Sequence, residues 1–175
     1  MSEVLDKIES RRSIRRYKDT RVPRELRDKI IRAGLYAASG KNRQDCIIIS
    51  VTNRAMRDRI MEMNRQIGGY AADVDPFYGA PAMLIVLAKK DEPNHVYDGS
   101  LVMGNLMLAA HDLGLGSCWI HRARHEFETK EGRQILADLG IEGEWEGIGH
   151  CALGYIDGEN PAPLPRKPNR VFYIE

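Results

Sequence analysis

The chain is poor in cysteine, has no long apolar run and carries almost no net charge, and each shortage closes off a class of protein. Its three cysteines, Cys46, Cys118 and Cys151, are odd in number and widely spaced, with no C-x-x-C pair. That spacing supports neither a disulfide framework nor a zinc ribbon, and it suits a reducing cytoplasm. The apolar run that ends at Ala88 falls far short of the ~20 residues that span a bilayer. The opening MSEVLDKIESRR is polar and holds no secretory apolar core. Twenty-six Lys and Arg against 25 Asp and Glu leave a net charge of +1, which argues against a membrane-surface or extended nucleic-acid binder. No internal repeat or low-complexity segment is present.

What remains is an ordinary soluble composition, 43% apolar and 29% charged over 175 residues, and the length predicts one domain spanning 1–175. Val4, Leu5 and Ile8 stand at helical spacing behind Ser2, a candidate N-cap. A second helix is predicted from Pro23, with Leu26, Ile30, Ala33 and Ala37 on one face. Cys46–Thr52 reads as a buried strand, and Asn53 as the cap of a helix carrying Met56, Ile60, Met63 and Ile67. Residues 68–81 read as a loop and Ala82–Ala88 as a second strand. Tyr97–Leu113 is apolar on nearly every side, as expected of a helix in the core or in a subunit interface. Gly114 and Gly116 end it, and a short strand over Ser117–Ile120 follows. Ile135, Leu136 and Leu139 mark another helix, and Ile148–Ile156 the last strand, with Gly149 and Gly154 as candidate bulges. Four prolines between Pro161 and Pro168 make the tail, about 160–175, an extended arm. The alternation of helices with strands points to a mixed α/β chain, and the pattern alone favours parallel βαβ units.

The chemistry-bearing cluster is Arg11-Arg12-Ser13-Ile14-Arg15-Arg16-Tyr17, with four guanidiniums in seven residues. Guanidiniums pair bidentately with phosphate, and a hydroxyl adds a directed bond. A solvated basic face at a helix C-terminus accounts for the same residues. His121 and His125 stand at i, i+4, but no Glu accompanies them as in H-E-x-x-H, so no metal site is assigned. Asp98 and Asn105 read as satisfied polar groups that fix helix packing, and Cys118 as a buried filler.

Arg11-Arg12-Ser13-Ile14-Arg15 resembles the R-x-S-x-R/K opening of the nitroreductase family of FMN-dependent oxidoreductases. Three further stretches follow in the same order. Ala38-Ser39-Gly40-Lys41-Asn42-Arg43-Gln44 is similar to the family's A-P-S-x-x-N-x-Q-P-W turn. Asn105–Ala110 through Gly114–Ile120 resembles its central helix and glycine-rich exit. Leu153-Gly154-Tyr155 with Pro165-Arg166-Lys167-Pro168 resembles its closing G-Y-P and R-K-P elements. One departure stands out, Asp45-Cys46 in place of the family's Pro-Trp.

The resemblance implies an α+β, three-layer fold, with a mixed and mostly antiparallel sheet flanked by helices, in an entwined homodimer with a C-terminal arm. It implies FMN as cofactor, with Arg11, Ser13 and Arg15 on the phosphate, Arg12 near the ribityl chain and Arg166 reaching the phosphate from the arm. Asn42 and Gln44 match positions that hydrogen-bond the ring and ribityl chain, and Trp119, Ile120 and His121 align with the strand beside the ring. By position alone Trp119 reads as a core aromatic rather than a ring contact. The implied activity is transfer of reducing equivalents from NAD(P)H through FMN to an acceptor such as a nitroaromatic or quinone. The redox chemistry is the cofactor's, and no side chain is assigned a catalytic role. Reductive dehalogenation or flavin fragmentation, and non-catalytic flavin binding, are the alternatives.

Overall fold

In a computed structural model that describes residues 2–175, the elements follow in the order α1 (Glu3–Ser10), α2 (Arg24–Leu35), β1 (Cys46–Val51), α3 (Arg54–Ile67), β2 (Ala82–Lys89), α4 (His95–Asp112), β3 (Gly116–Ile120), α5 (Ala123–Glu128), α6 (Lys130–Asp138) and β4 (Trp145–Gly154). The four strands form one sheet in the order β1-β2-β4-β3, and every ladder is antiparallel. This overturns the parallel reading of the helix–strand alternation. A parallel relation survives only in an isolated bridge between Ser13 and Ser117.

The misleading signal was β2. Its apolar run is buried from Ala82 to Ala88 because helices cover both faces of the sheet, not because its neighbours run parallel. Alternate residues divide between two cores. Ala82, Leu84, Val86 and Ala88 join Ile30, Met103 and Leu106 from α2 and α4. Met83, Ile85 and Leu87 join Ile60, Phe127 and Leu136 from α3, α5 and α6. These are the three layers.

Local chemistry sets several boundaries. Asn53 caps α3 by accepting from the Met56 amide at 2.9 Å. Helix α4 closes in a Schellman turn: the Leu115 amide donates to Ala110 O at 2.8 Å and the Gly114 amide to His111 O at 3.1 Å, with Gly114 at φ +75°. Ser2 occupies the N-cap of α1 without a side-chain bond, and Pro23 precedes α2 rather than opening it. The bulge in β4 is Ile148, since Val86 faces Gly149 and Leu87 faces Gly147. Gly149 instead makes room for the Trp119 indole, and Gly154 lies against Pro81 and Tyr17.

One expectation of burial is corrected. β1 is an edge strand with Ser50 exposed. Helix α4 buries Val102, Met103, Leu106 and Ala110 but leaves Tyr97 (72%) and Leu101 (51%) exposed. Beyond the bridge from Tyr17 to Ile156 the tail is exposed and holds neither helix nor strand. No helix among the described residues is long and apolar enough to cross a membrane.

Candidate functional site

After α1 the backbone straightens, Arg11 taking φ −59° and ψ 135°, and runs beside β3, where the Ile14 amide donates to Ser117 O at 2.9 Å. In an extended segment alternate side chains share a side. Ile14 turns inward against Gly116, while Arg11, Ser13 and Arg15 gather about Cys118. Burial raises the pKa of the Cys118 thiol, against the opposing pull of Arg15, the Ser13 hydroxyl and Arg11. The structure thus sorts the four guanidiniums. Arg12 Nη1 donates back to Glu9 O and Arg11 O at 2.7 and 2.6 Å, and Arg16 pairs with Asp157 at 3.2 Å. Arg11 and Arg15 have no carboxylate within ion-pair distance among the described residues, and Arg11 Nη1 is buried without a hydrogen-bond partner, as is Ser117 Oγ. A buried donor without a partner is costly, and an anion held beside this segment would satisfy Arg11.

A second feature adjoins the first. Trp119, Ile120 and His121 form one wall of a groove of about 210 Å³ whose other wall comes from Tyr70, Pro76 and Tyr78. The Arg15 guanidinium stands 5.9 Å from the Tyr78 ring centroid, linking the basic cluster to the groove. Trp119 is half-buried: its indole lies against Gly149 and packs partly on the core, and it also lines the groove. The core reading of Trp119 therefore holds in part, and the residue also borders the groove.

Asn42 and Gln44 lie elsewhere. They sit in the turn after α2, where Gln44 Nε2 donates to Asn42 Oδ1 at 3.1 Å and the Gln44 amide donates to Ser39 Oγ at 3.0 Å. Lys41, Asn42 and Gln44 all hold positive φ, and Asp98 anchors the turn by accepting from the Gly40 amide at 3.1 Å. Asn105 likewise donates to Ala33 O at 3.1 Å, so Asp98 and Asn105 both serve packing. Among the described residues no hydrogen bond or ion pair joins this turn to Arg11–Arg15 or to Trp119–His121. Arg166 lies on the exposed tail, whose ties to the body are at Asp157 and Asn160. Within one chain, then, Arg11, Ser13, Arg15, Trp119, Ile120 and His121 come together, while Asn42, Gln44 and Arg166 do not join them.

Sequence reasoning missed a polar network behind the groove. Asn64, fully buried, donates through Nδ2 to His121 O at 2.8 Å and to Glu126. Glu126 Oε2 also lies 2.8 Å from His150 Nε2, a close contact whose angle falls outside the hydrogen-bond direction. Phe77 packs edge-on against the His150 ring at 5.1 Å. Arg122, in the left-handed region at φ +86°, reaches Asn64 Oδ1 at 3.5 Å and donates to Tyr70 OH at 2.7 Å. One signal was available: Asn64 occupies an apolar slot of the Ile60, Met63, Ile67 stripe. The backbone of Arg122 left none.

Fold and site together define an α+β protein with a basic corner at Arg11–Arg15 beside an aromatic groove. A profile of the Nitroreductase family matches residues 8–155, and the chain belongs to that family. A provisionally named NADH dehydrogenase/NAD(P)H nitroreductase of Methanothermobacter thermautotrophicus is 39% identical over 121 residues, covering 67% of this chain and 60% of that protein. The NADPH-flavin oxidoreductase of Vibrio harveyi is 28% identical over 184 aligned positions, covering all of this chain and 74% of its own length. The crystal structure of an FMN-bound nitroreductase from Bacteroides fragilis superposes with a TM-score of 0.89 at 27% identity, over the whole of both chains.

Proposed function

We propose that this chain is an FMN-dependent oxidoreductase that takes reducing equivalents from NAD(P)H and delivers them to a small acceptor such as a nitroaromatic or quinone. The observation that carries the reading is the buried, unpartnered Arg11 Nη1 on the same extended segment as Ser13 and Arg15. A phosphate monoester fits that donor set, because it accepts several charge-assisted bonds at once. Bound there, FMN would supply the two-electron chemistry, taking hydride from a nicotinamide and giving electrons to an acceptor.

The protein's part is to bind and orient. Arg11, Ser13 and Arg15 hold the phosphate end, and the edge of β3 at Trp119–His121 lies along the ring and keeps water from one side. Asn42 and Gln44 face the same ring from a second copy, and Arg166 approaches the phosphate from the arm. Two features support a homodimer. Val4, Leu5, Ile8, Tyr97 and Leu101 expose apolar surface on α1 and α4, and the tail presents Phe172 and Ile174 to solvent. The turn bearing Asn42 and Gln44 is also held in shape while remote from the groove on its own chain. In this reading the chain is one FMN-binding domain with an embracing arm, working in the cytoplasm.

The test replaces Arg11 and Arg15 together by Ala and titrates FMN by fluorescence quenching. Two charge-assisted bonds are worth ~3–6 kcal/mol, so affinity falls about a hundredfold or more while circular dichroism is unchanged. Undiminished FMN affinity in the double variant removes the phosphate assignment. A flavin spectrum that NADH and NADPH both fail to bleach anaerobically removes the oxidoreductase reading.

A further inference from the structure

We propose that Arg122 selects the electron acceptor, making the groove beside Trp119–His121 a site for aromatic acceptors that carry an anionic group such as a carboxylate or phenolate. The inference deepens the oxidoreductase reading and rests on it.

The groove has two charged walls, and they are not equivalent. Asp75 is already neutralised: it pairs with Arg57, and it accepts from the Phe77 and Gly79 amides at 2.7 and 2.8 Å. Arg122 has no carboxylate within ion-pair distance among the described residues. Its recorded partners, Tyr70 OH and Asn64 Oδ1, are neutral, and they occupy two of the five guanidinium N–H donors. Arg15, at the other end of the groove, belongs to the phosphate corner. The free positive charge facing a bound acceptor is therefore Arg122.

This charge is held in place from several directions. The guanidinium lies 4.8 Å from the Tyr70 ring centroid as well as on its hydroxyl. Gly68 leaves the space it needs, since a Cβ there would come within 2.9 Å of Arg122 Nε. Asn64 grips both the side chain and the carbonyl of the preceding residue, His121. The left-handed backbone at Arg122 is thus over-determined, as strained backbone at binding sites commonly is. A preorganised guanidinium loses little freedom on binding, so its charge-assisted bond is retained as affinity. Tyr70, Tyr78 and Trp119 supply the faces against which a planar ring stacks. Arg122 acts on the acceptor directly, and Asn64 is a positioning residue.

The experiment compares 4-nitrobenzoate with neutral nitrobenzene in the FMN-loaded protein, in the natural chain, R122Q and R122K. The ratio of kcat/KM, charged over neutral, falls roughly ten- to a hundredfold in R122Q, chiefly through the KM for 4-nitrobenzoate. R122K restores part of it, because an ammonium keeps the charge and loses the fork. An unchanged ratio overturns the proposal, and so does an effect confined to the KM for NADH or NADPH in the reductive half-reaction, which would place Arg122 on the nicotinamide. A protein that takes up no flavin defeats the oxidoreductase reading instead. In that case 4-nitrobenzoate binding, followed by quenching of tryptophan fluorescence, still decides the point: saturable binding lost in R122Q supports the role, and equal binding in both chains overturns it.

Discussion

Two glycines on β4 carry opposite tests of how the groove is supported. A Cβ built at Gly147 would sit 2.4 Å from the carbonyl carbon and oxygen of Ala123, in the first turn of α5. One at Gly149 would sit 2.4 Å from Trp119 Nε1 and 2.8 Å from Cε2, the far end of a side chain rather than backbone. Backbone cannot yield without moving α5, and with it Arg122 next to Ala123. Overpacking costs ~1–3 kcal/mol, and Gly147→Ala belongs at the top of that range. For a chain of this size that is a loss of roughly 6–12 °C in melting temperature. Gly149→Ala costs about 1–2 kcal/mol and roughly 2–8 °C, but it also drives the indole outward. The assay is a thermal melt at matched protein concentration, read with tryptophan emission and the KM for the acceptor. Gly147→Ala should show the larger melting shift, and Gly149→Ala the spectral change with a shifted acceptor KM. A Gly147→Ala protein that melts with the natural chain, or a Gly149→Ala protein with unaltered emission, would refute the packing argument.

Removing the buried Glu126 by E126A strips a partner from Asn64 and leaves His150 beside a cavity. The expected loss is ~3–5 kcal/mol, read as a lower urea midpoint, with E126Q recovering much of it. Alkaline pH gives a separate check. Burial raises the Cys151 thiol from 9.0 to about 12 and the Cys46 thiol to about 11, and it also raises the Tyr17 hydroxyl. Their contribution to stability is complete below about pH 9, because neither state has then released the proton. It is lost as pH climbs through the 9–12 window, where the unfolded chain ionises first. Denaturant midpoints should therefore decline above pH 9, and a C151A chain should decline less steeply; parallel curves for the two would contradict this.

Periodicity located nearly every element, because spacing is a local property. The stripe of Ile60, Met63 and Ile67 defines α3, and Gly114 ends α4 in the left-handed turn that glycine favours. Strand direction was not legible. An apolar run such as Ala82–Ala88 reports that both faces are covered and nothing about which way the neighbour runs. The short α5 was missed because ARHEFE carries no repeat long enough to show a period. For the site, R-x-S-x-R was readable because extended backbone turns alternate residues to one side. The motif could not say that Arg12 folds back on Glu9 O, nor that Arg16 pairs with Asp157 across 141 positions.

The division of the site explains what the sequence could and could not say about it. Each half is coded by neighbours in the chain: Arg11–Arg15 by one extended segment, Asn42 and Gln44 by one turn of three left-handed residues. Such motifs survive as short strings because their geometry is local. The groove's acceptor-facing end is different. Asn64, Gly68 and Tyr70 come from one stretch and Arg122 and Glu126 from another, and they meet only because α3 and α5 pack on the same face of the sheet. Short motifs reveal the segments proposed to hold the cofactor, whereas the residues proposed to choose among acceptors are assembled by packing. If Arg122 selects the acceptor as proposed, specificity follows from the packing of the second core rather than from any motif, and substitutions in α3 or α5 are the ones that should redirect it.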